Sequence, residues 1–286
     1  VVRRALVGQC GLRVTEDMLE HGYKELTLPA ADDGSHRIDR DALHIWPRGG
    51  FMLIALPNLD GSFTVTLFLA LKGGAESFAA LDSRAAVEGF FATHFADVVP
   101  LMPGLAREFL EHPVGRMGTV HAEPWSAGGS ALLLGDAAHA IVPFHGQGMN
   151  ACFEDCHELD RWLRNAPDWA TAFAGFGRQR KPDTDAIAAM ALENFLEMRD
   201  TVREPAFLRQ KSIASQLERR HPRRFIPRYS MVSFHPEIPY AEALRRGAVQ
   251  ARILQELDPG GAVSPEPAFD LARADVLVHR ELTEIG

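Results

Sequence analysis

At 286 residues the chain is long enough for one large core or two smaller ones, and 46% hydrophobic with 24% charged residues is ordinary for a soluble globular enzyme. A net charge of −8 argues against nucleic acid as the main partner, because neutralising phosphates takes a clustered positive surface. Three cysteines (Cys10, Cys152, Cys156) cannot close a disulfide framework and lack the paired spacing of a zinc site, so a reducing, cytoplasmic compartment fits best and no metal is expected. No run of about 18 apolar residues occurs, which predicts neither a membrane helix nor a signal peptide. The basic cluster Arg219-Arg220-His221-Pro222-Arg223-Arg224 reads as a solvated helix end.

In chain order, residues 23–28, 43–46, 51–56 and 63–69 are short β-rich runs. Turn signals separate them at Asp32-Asp33-Gly34, Pro47-Arg48-Gly49-Gly50 and Asn58-Leu59-Asp60-Gly61. The two faces of residues 63–68 differ little in polarity, which predicts a strand covered on both sides. Ala86, Val87, Phe90, Phe91 and Phe95 have helical spacing, with Ser83 as the cap. Residues 117–125 suggest one more strand. Apolar residues 131–134 then read as a parallel strand ending at Gly135-Asp136. Residues 149–164 read as a helix with Phe153, Cys156, Leu159 and Leu163 along one side. Residues 183–202 predict a second long helix, with Pro182 suited to its first turn. The last third is mostly helical, with an extended break at residues 225–234.

Residues 131–156 carry the chemistry. A carboxylate at the end of a parallel strand, as expected for Asp136, accepts hydrogen bonds from vicinal hydroxyls of a ribose or ribityl chain. The competing reading is a Gly-Asp turn in which Asp136 caps its own backbone. Gly146-Gln147-Gly148-Met149-Asn150-Ala151 matches the dinucleotide pattern G-x-G-x-x-A. That pattern requires its glycines directly after a strand, and here Ile141-Val142-Pro143-Phe144 intervenes. The better reading has backbone N–H groups of Gly148, Met149 and Asn150 opening a helix toward an electron-rich part of a cofactor. Glycines there let a flat ring approach the backbone.

This block resembles the second flavin motif of the class A flavoprotein monooxygenases, aromatic hydroxylases of the para-hydroxybenzoate hydroxylase type. Within that family the chain resembles the branch that hydroxylates kynurenine. The resemblance includes His44-Ile45-Trp46-Pro47-Arg48, Ile54-Ala55-Leu56-Pro57-Asn58, residues 62–68, all of 132–156, Ala191-Leu192-Glu193-Asn194 and residues 224–232. It covers most of the chain up to about Gly247.

The resemblance implies an α/β (α+β) fold: part of a FAD-binding Rossmann-like domain, an inserted antiparallel-sheet substrate domain, and a helical C-terminal region. The expected boundaries are 1–17 and 117–210 for the FAD domain, 18–116 for the substrate domain and 211–286 for the helical region. It implies that Asp136 binds the ribityl chain of FAD. Pro143, Gly146, Gln147, Gly148, Met149 and Asn150 would line the isoalloxazine ring, and Phe144 and His145 would lie between ring and substrate. Eukaryotic members typically carry Phe where this chain has His145, and Gly where it has Cys152.

Asn194 sits in the middle of an apolar helical stripe formed by Ile187, Met190, Ala191 and Met198, with Glu197 at its edge. A buried amide without a partner costs roughly 1–3 kcal/mol, so a backbone carbonyl, a water or a ligand must satisfy it. The resemblance implies that Asn194 and Tyr229 contact kynurenine, with Glu197 and Met198 beside them. Met52, Leu56, Thr66 and Phe68 would belong to the sheet that closes over the aromatic ring.

The implied activity is FAD-dependent hydroxylation of L-kynurenine to 3-hydroxykynurenine by molecular oxygen, consuming NADPH and passing through a flavin C4a-hydroperoxide. The substrate's amine already activates the ring, so no catalytic acid or base is nominated. Alternatives are a flavin hydroxylase of another small aromatic, or a non-catalytic ligand-binding fragment. The family's G-x-G-x-x-G unit is missing, and Val2-Arg3 resembles only the tail of a second family motif. The expectation is therefore the C-terminal part of a longer hydroxylase that, alone, binds FAD poorly. The polar, amphipathic stretch 262–286 predicts no membrane anchor.

Overall fold

The computed structural model describes residues 2–201, 204–258 and 269–285. They form a mixed fold of helices and antiparallel sheet, divided into two compact units. The first takes in residues 1–17, 119–195 and 203–286; the second takes in 18–118 and 196–202.

Helix α1 (Val2–Cys10) leads into the long strand β1 (Arg13–Leu28), followed by β2 (His44–Pro47), β3 (Met52–Pro57) and β4 (Phe63–Ala70). Helices α2 (Arg84–His94) and α3 (Leu105–Glu111) precede β5 (Gly115–Glu123). These five strands form one sheet in the order β2-β3-β4-β1-β5. The β3–β4 hairpin pairs Met52 with Phe68 and Leu56 with Thr64. Its turn is held by Asp60, whose Oδ1 accepts from the Ser62 amide at 3.0 Å. Gly61 adopts φ +86°, and a Cβ there would lie 2.3 Å from the Gly34 carbonyl oxygen, so only glycine fits.

Alternation divides the residues of this hairpin between two faces. Leu53, Ala55, Val65, Leu67 and Leu69 join Val87, Phe90, Phe91, Phe95 and Phe109 from the helices in one core cluster. Burying each such large side chain contributes roughly 1.5–3 kcal/mol. The residues between them point to the other face. Thr66 and Phe68 are also buried, so β4 is covered on both sides, as its composition predicts. Ser83 caps α2 by accepting from the Ala86 amide at 3.3 Å.

In the first unit, β6 (Ser126–Ala127) and β7 (Ala131–Leu132) make a two-stranded antiparallel ribbon. The apolar run 131–134 is therefore not the parallel strand expected from sequence. It pairs only over its first two residues, and Leu133 instead donates its amide to the Trp125 carbonyl at 2.7 Å. Next come the short helix α4 (Asp136–His139), α5 (Gly148–Asn165), α6 (Trp169–Arg199), α7 (Pro205–Arg220), α8 (Arg228–Phe234), α9 (Tyr240–Leu257) and α10 (Leu271–Glu281). Helix α9 packs against α7, α8 and α10. Fully buried Arg246 ties this packing together by donating to the carbonyls of Arg224 and Thr283, each at 2.8 Å.

Two further expectations are corrected. Pro182 lies inside the 31-residue α6 and does not open a new helix. Losing one helical amide interrupts the ladder to Arg178, an exposed residue whose carbonyl water can satisfy. The segment 225–234 is extended only as far as Pro227, after which α8 begins. Val202, residues 262–268 and Gly286, which fell in expected elements, lie outside the described residues. No described helix is long and apolar enough to cross a membrane.

Gly175 on α6 permits a close approach to Trp162 on α5. A Cβ there would lie 2.3 Å from the indole, whose Nε1 is fixed by a 2.8 Å bond to Gln179. Gly175→Ala should lower unfolding stability by about 1–3 kcal/mol in urea titrations. Helix propensity alone would raise it by about 1 kcal/mol, so the sign of the change tests the contact.

Candidate functional site

Past β7 the chain reaches Gly135, at φ +57° and ψ −139°. Its carbonyl accepts from the amides of Ala138 at 2.8 Å and His139 at 3.0 Å, which starts α4. A Cβ at Gly135 would lie 2.9 Å from the Cys152 sulfur, so both space and φ demand glycine. The turn presents Asp136 as an exposed carboxylate, with the Cys152 thiol 3.7 Å from its Oδ1. Burial, and then the Asp136 charge, push that thiol's pKa up, so it stays protonated and donates.

Beneath the turn lies a buried charge cluster. Asp155, on α5, has no solvent-exposed side-chain surface. Its Oδ2 accepts from the Gly135 amide at 3.2 Å and meets His139 Nε2 at 2.5 Å, while Oδ1 accepts from Arg180 Nε at 3.0 Å. Burial alone would raise the Asp155 pKa, but hydrogen bonds and charges from His139 and Arg180 outweigh it and hold the carboxyl below the usual range. Arg180 also reaches Glu154 at 3.1 Å and the Ala151 carbonyl at 3.4 Å.

A 3-10 turn at Pro143–His145 ends in Gly146 at φ +69°, and α5 begins at Gly148. No side chain caps this helix start. A Cβ built on Gly146 meets nothing within 4 Å, and one on Gly148 meets only Ile141 at 3.8 Å. The space above both glycines is therefore open, with uncapped amides beside it and the Asp136 carboxylate nearby in sequence. That donor and acceptor set suits an anionic edge and a polyhydroxyl chain, which is what a flavin offers. Met149 and Asn150 are exposed. The Gln147 side chain is buried, with its oxygen taken by Asn150 Nδ2 at 2.9 Å and the Tyr240 hydroxyl at 3.2 Å.

The expected substrate residues of this unit come together. Asn194 Nδ2 donates to the Phe144 carbonyl at 2.6 Å, so a backbone carbonyl satisfies the half-buried amide. Phe144 stacks on Phe195, with centroids 4.4 Å apart at 26°, and His145 stacks on Tyr229, 5.1 Å apart at 14°. An ion pair between Glu193 and Arg228 links the residues preceding Asn194 and Tyr229.

In the second unit, Met52, Leu56, Thr66 and Phe68 share the sheet face opposite the helical core. Met52 and Phe68 form a cross-strand pair, and Leu56 lies at the exposed end of β3. Glu197 and Met198 lie on the last turn of α6. There Asp200 Oδ1 accepts from the Gly50 amide at 2.9 Å and ties the helix end to the β2–β3 turn.

Sequence reading missed Asp155, His139, Arg180, Phe195 and Tyr240. It followed the apolar stripe of α5, yet Phe153 and Leu163 are exposed, and the inward side carries Ala151 and Asp155. No local signal marks Asp155, which sits on a helix well supplied with surface charge. A cavity of about 710 Å³ lies between α5, α6 and the start of α9, lined by Gln147, Asn150, Phe153, Arg180, Asp183 and Tyr240 among others. Asp136, Phe144, Asn194 and Tyr229 are not in its walls. Among the described residues no cluster of His, Cys, Asp and Glu is arranged to hold a metal.

Because the folded-state pKa of Asp155 is lowered, its stabilisation is complete above the unfolded value of about 3.9 and is lost as pH falls through the folded value. Asp155→Asn should cost about 3 kcal/mol at pH 7. In urea unfolding across a pH series, that gap from wild type should narrow below about pH 4.

Residues 103–170 match the family model described as an FAD binding domain. The kynurenine 3-monooxygenase of Stenotrophomonas maltophilia is 56% identical over 264 residues, covering 92% of this chain and 57% of that protein. The kynurenine 3-monooxygenase of Myxococcus xanthus is 49% identical over 282 residues, covering 99% of this chain and 60% of that protein. The chain thus spans less than two thirds of these relatives' length. Among solved structures, the tetrameric form of 2-methyl-3-hydroxypyridine-5-carboxylic acid oxygenase superposes with a TM-score of 0.54 at 19% identity. That match covers 70% of this chain and 53% of the other, and it supports the fold alone.

Proposed function

We propose, for a chain that belongs to the kynurenine 3-monooxygenase family over the part of those proteins it spans, that it contributes the ribityl-and-ring side of an FAD site to a hydroxylase of L-kynurenine. The observation that carries this is one stretch of backbone, residues 135–150, that sets an exposed carboxylate and an uncapped helix start on either side of open glycines. NADPH is the proposed reductant and molecular oxygen the co-substrate.

Bound flavin would supply the electron transfer and oxygen activation. The chain's own residues do the rest. Asp136 accepts hydrogen bonds from the cofactor's hydroxyls. The amides of Gly148, Met149 and Asn150 favour negative charge on the ring edge that faces them. Phe144, His145, Phe195 and Tyr229 form an aromatic wall that excludes water and orients a planar substrate. Asn194 donates through its nitrogen to the Phe144 carbonyl and so fixes the turn that carries Phe144 and His145. An amine on the substrate ring activates the ortho carbon, so no protein base is required at the reacting atom.

In a purified hydroxylase that carries this chain, supplied with FAD, NADPH and air, L-kynurenine should stimulate NADPH oxidation and yield a product one oxygen atom heavier. A panel of other small aromatic acids should not. Equal stimulation by another aromatic would move the substrate assignment while keeping the chemistry. Asp136→Ala should raise the FAD dissociation constant about ten- to a hundredfold, by titration of flavin fluorescence, as expected for losing hydrogen bonds to a charged group.

A further inference from the structure

We infer that Asp155 is a positioning residue: it locks the Gly135-Asp136 turn and the first turn of α5 into one rigid frame. The inference rests on the reading of Asp136 as a cofactor ligand. Asp155 touches neither the open glycines nor the Asp136 carboxylate, so it acts through backbone. Its Oδ2 takes the Gly135 amide, while the Gly135 carbonyl is taken by the amides of α4. Both sides of the glycine that delivers Asp136 are thereby fixed. The second oxygen holds Arg180, and Arg180 reaches the carbonyl of Ala151 in the first turn of α5. One buried carboxylate thus connects the turn that carries Asp136 with the helix start that carries Gly148 and Met149.

A carboxylate that served stability alone would need only its side-chain partners. Here one oxygen is divided between His139 and a backbone amide whose sole role is to shape the turn. Asparagine cannot substitute. With its oxygen on Gly135 its amino group faces the Arg180 guanidinium, donor to donor; with its oxygen on Arg180 its amino group faces the Gly135 amide. Either way one tie breaks.

The test combines amide hydrogen exchange with flavin titration. In the wild-type protein the Gly135 amide should exchange at least about a hundredfold more slowly than an unstructured amide, although the neighbouring Asp136 is exposed. Fast exchange at Gly135 in the folded wild type overturns the inference without any variant. In Asp155→Asn, at a temperature where circular dichroism shows a folded protein, Gly135 protection should fall at least about tenfold. FAD affinity should fall by a similar factor, while protection of the β3–β4 hairpin is unchanged. A variant with lower melting temperature but unaltered Gly135 exchange and FAD affinity makes Asp155 merely structural and sinks the proposal. If, in a hydroxylase that carries this chain, Asp136→Ala leaves FAD affinity unchanged, or that hydroxylase binds no flavin, the functional reading fails, whatever the exchange result.

Discussion

Water does not reach the Asp155 carboxylate, so protein groups must answer its charge where it stands. An unpaired buried carboxylate would take up a proton or unfold its surroundings. The Arg180 guanidinium, the His139 ring and one backbone amide converge on it instead, from α6, α4 and the Gly135 turn. Each partner comes from a separate stretch of sequence, so pairing the charge also brings those stretches to fixed positions. The Gly135-Asp136 turn then needs no capping side chain of its own. Asp136 is left exposed and free to accept from a ligand, where in a self-capped Gly-Asp turn it would be consumed by its own backbone.

The aromatic wall follows a similar economy. Asn194 would destabilise α6 if its amide faced apolar neighbours without a partner. Its nitrogen instead ends on the Phe144 carbonyl, part of the 3-10 turn that gives way to the glycines. The same turn supplies Phe144 to stack on Phe195 and His145 to stack on Tyr229. One hydrogen bond and two ring stacks therefore connect three segments distant in sequence. Of the partners open to the Asn194 nitrogen, the structure supplies the backbone, through the Phe144 carbonyl.

Legibility in the sequence followed how local each signal was. Strands β2, β3 and β4 and helix α2 were readable because turn residues and a cap bracket each one. The first half of β1 was not, since residues 13–20 are largely solvent-facing and carry no alternation. Pro182 suits a first helical turn, so the sequence predicts a start there; the helix instead runs through it, and the one lost bond falls on the exposed Arg178 carbonyl. Residues 131–134 have a strand's composition, but their pairing depends on partners far along the chain. In the site, Asp136 and the glycines could be seen as a motif. Asp155, His139 and Arg180 could not, because nothing local distinguishes a buried ion pair from surface charges at the same spacing.

The sheet face with Met52, Leu56, Thr66 and Phe68 owes its makeup to register. Since side chains alternate, a one-residue slip in the β3–β4 hairpin would send Met52 and Phe68 into the helical core and bring Leu53 and Leu67 out. Gly61 prevents that slip, because the turn closes only with φ positive and with no Cβ against the Gly34 carbonyl. Over β3 and β4 the face so defined is apolar apart from the Thr64 and Thr66 hydroxyls, and it grades from fully buried Met52 to half-exposed Leu56. Thr66 is buried and Thr64 is committed to Asn58, while the neighbouring β1 places the exposed carboxylate of Glu25 opposite Thr66 on this same face. A surface of this makeup accepts an apolar ring and repels an anion, because the charge beside it is the Glu25 carboxylate.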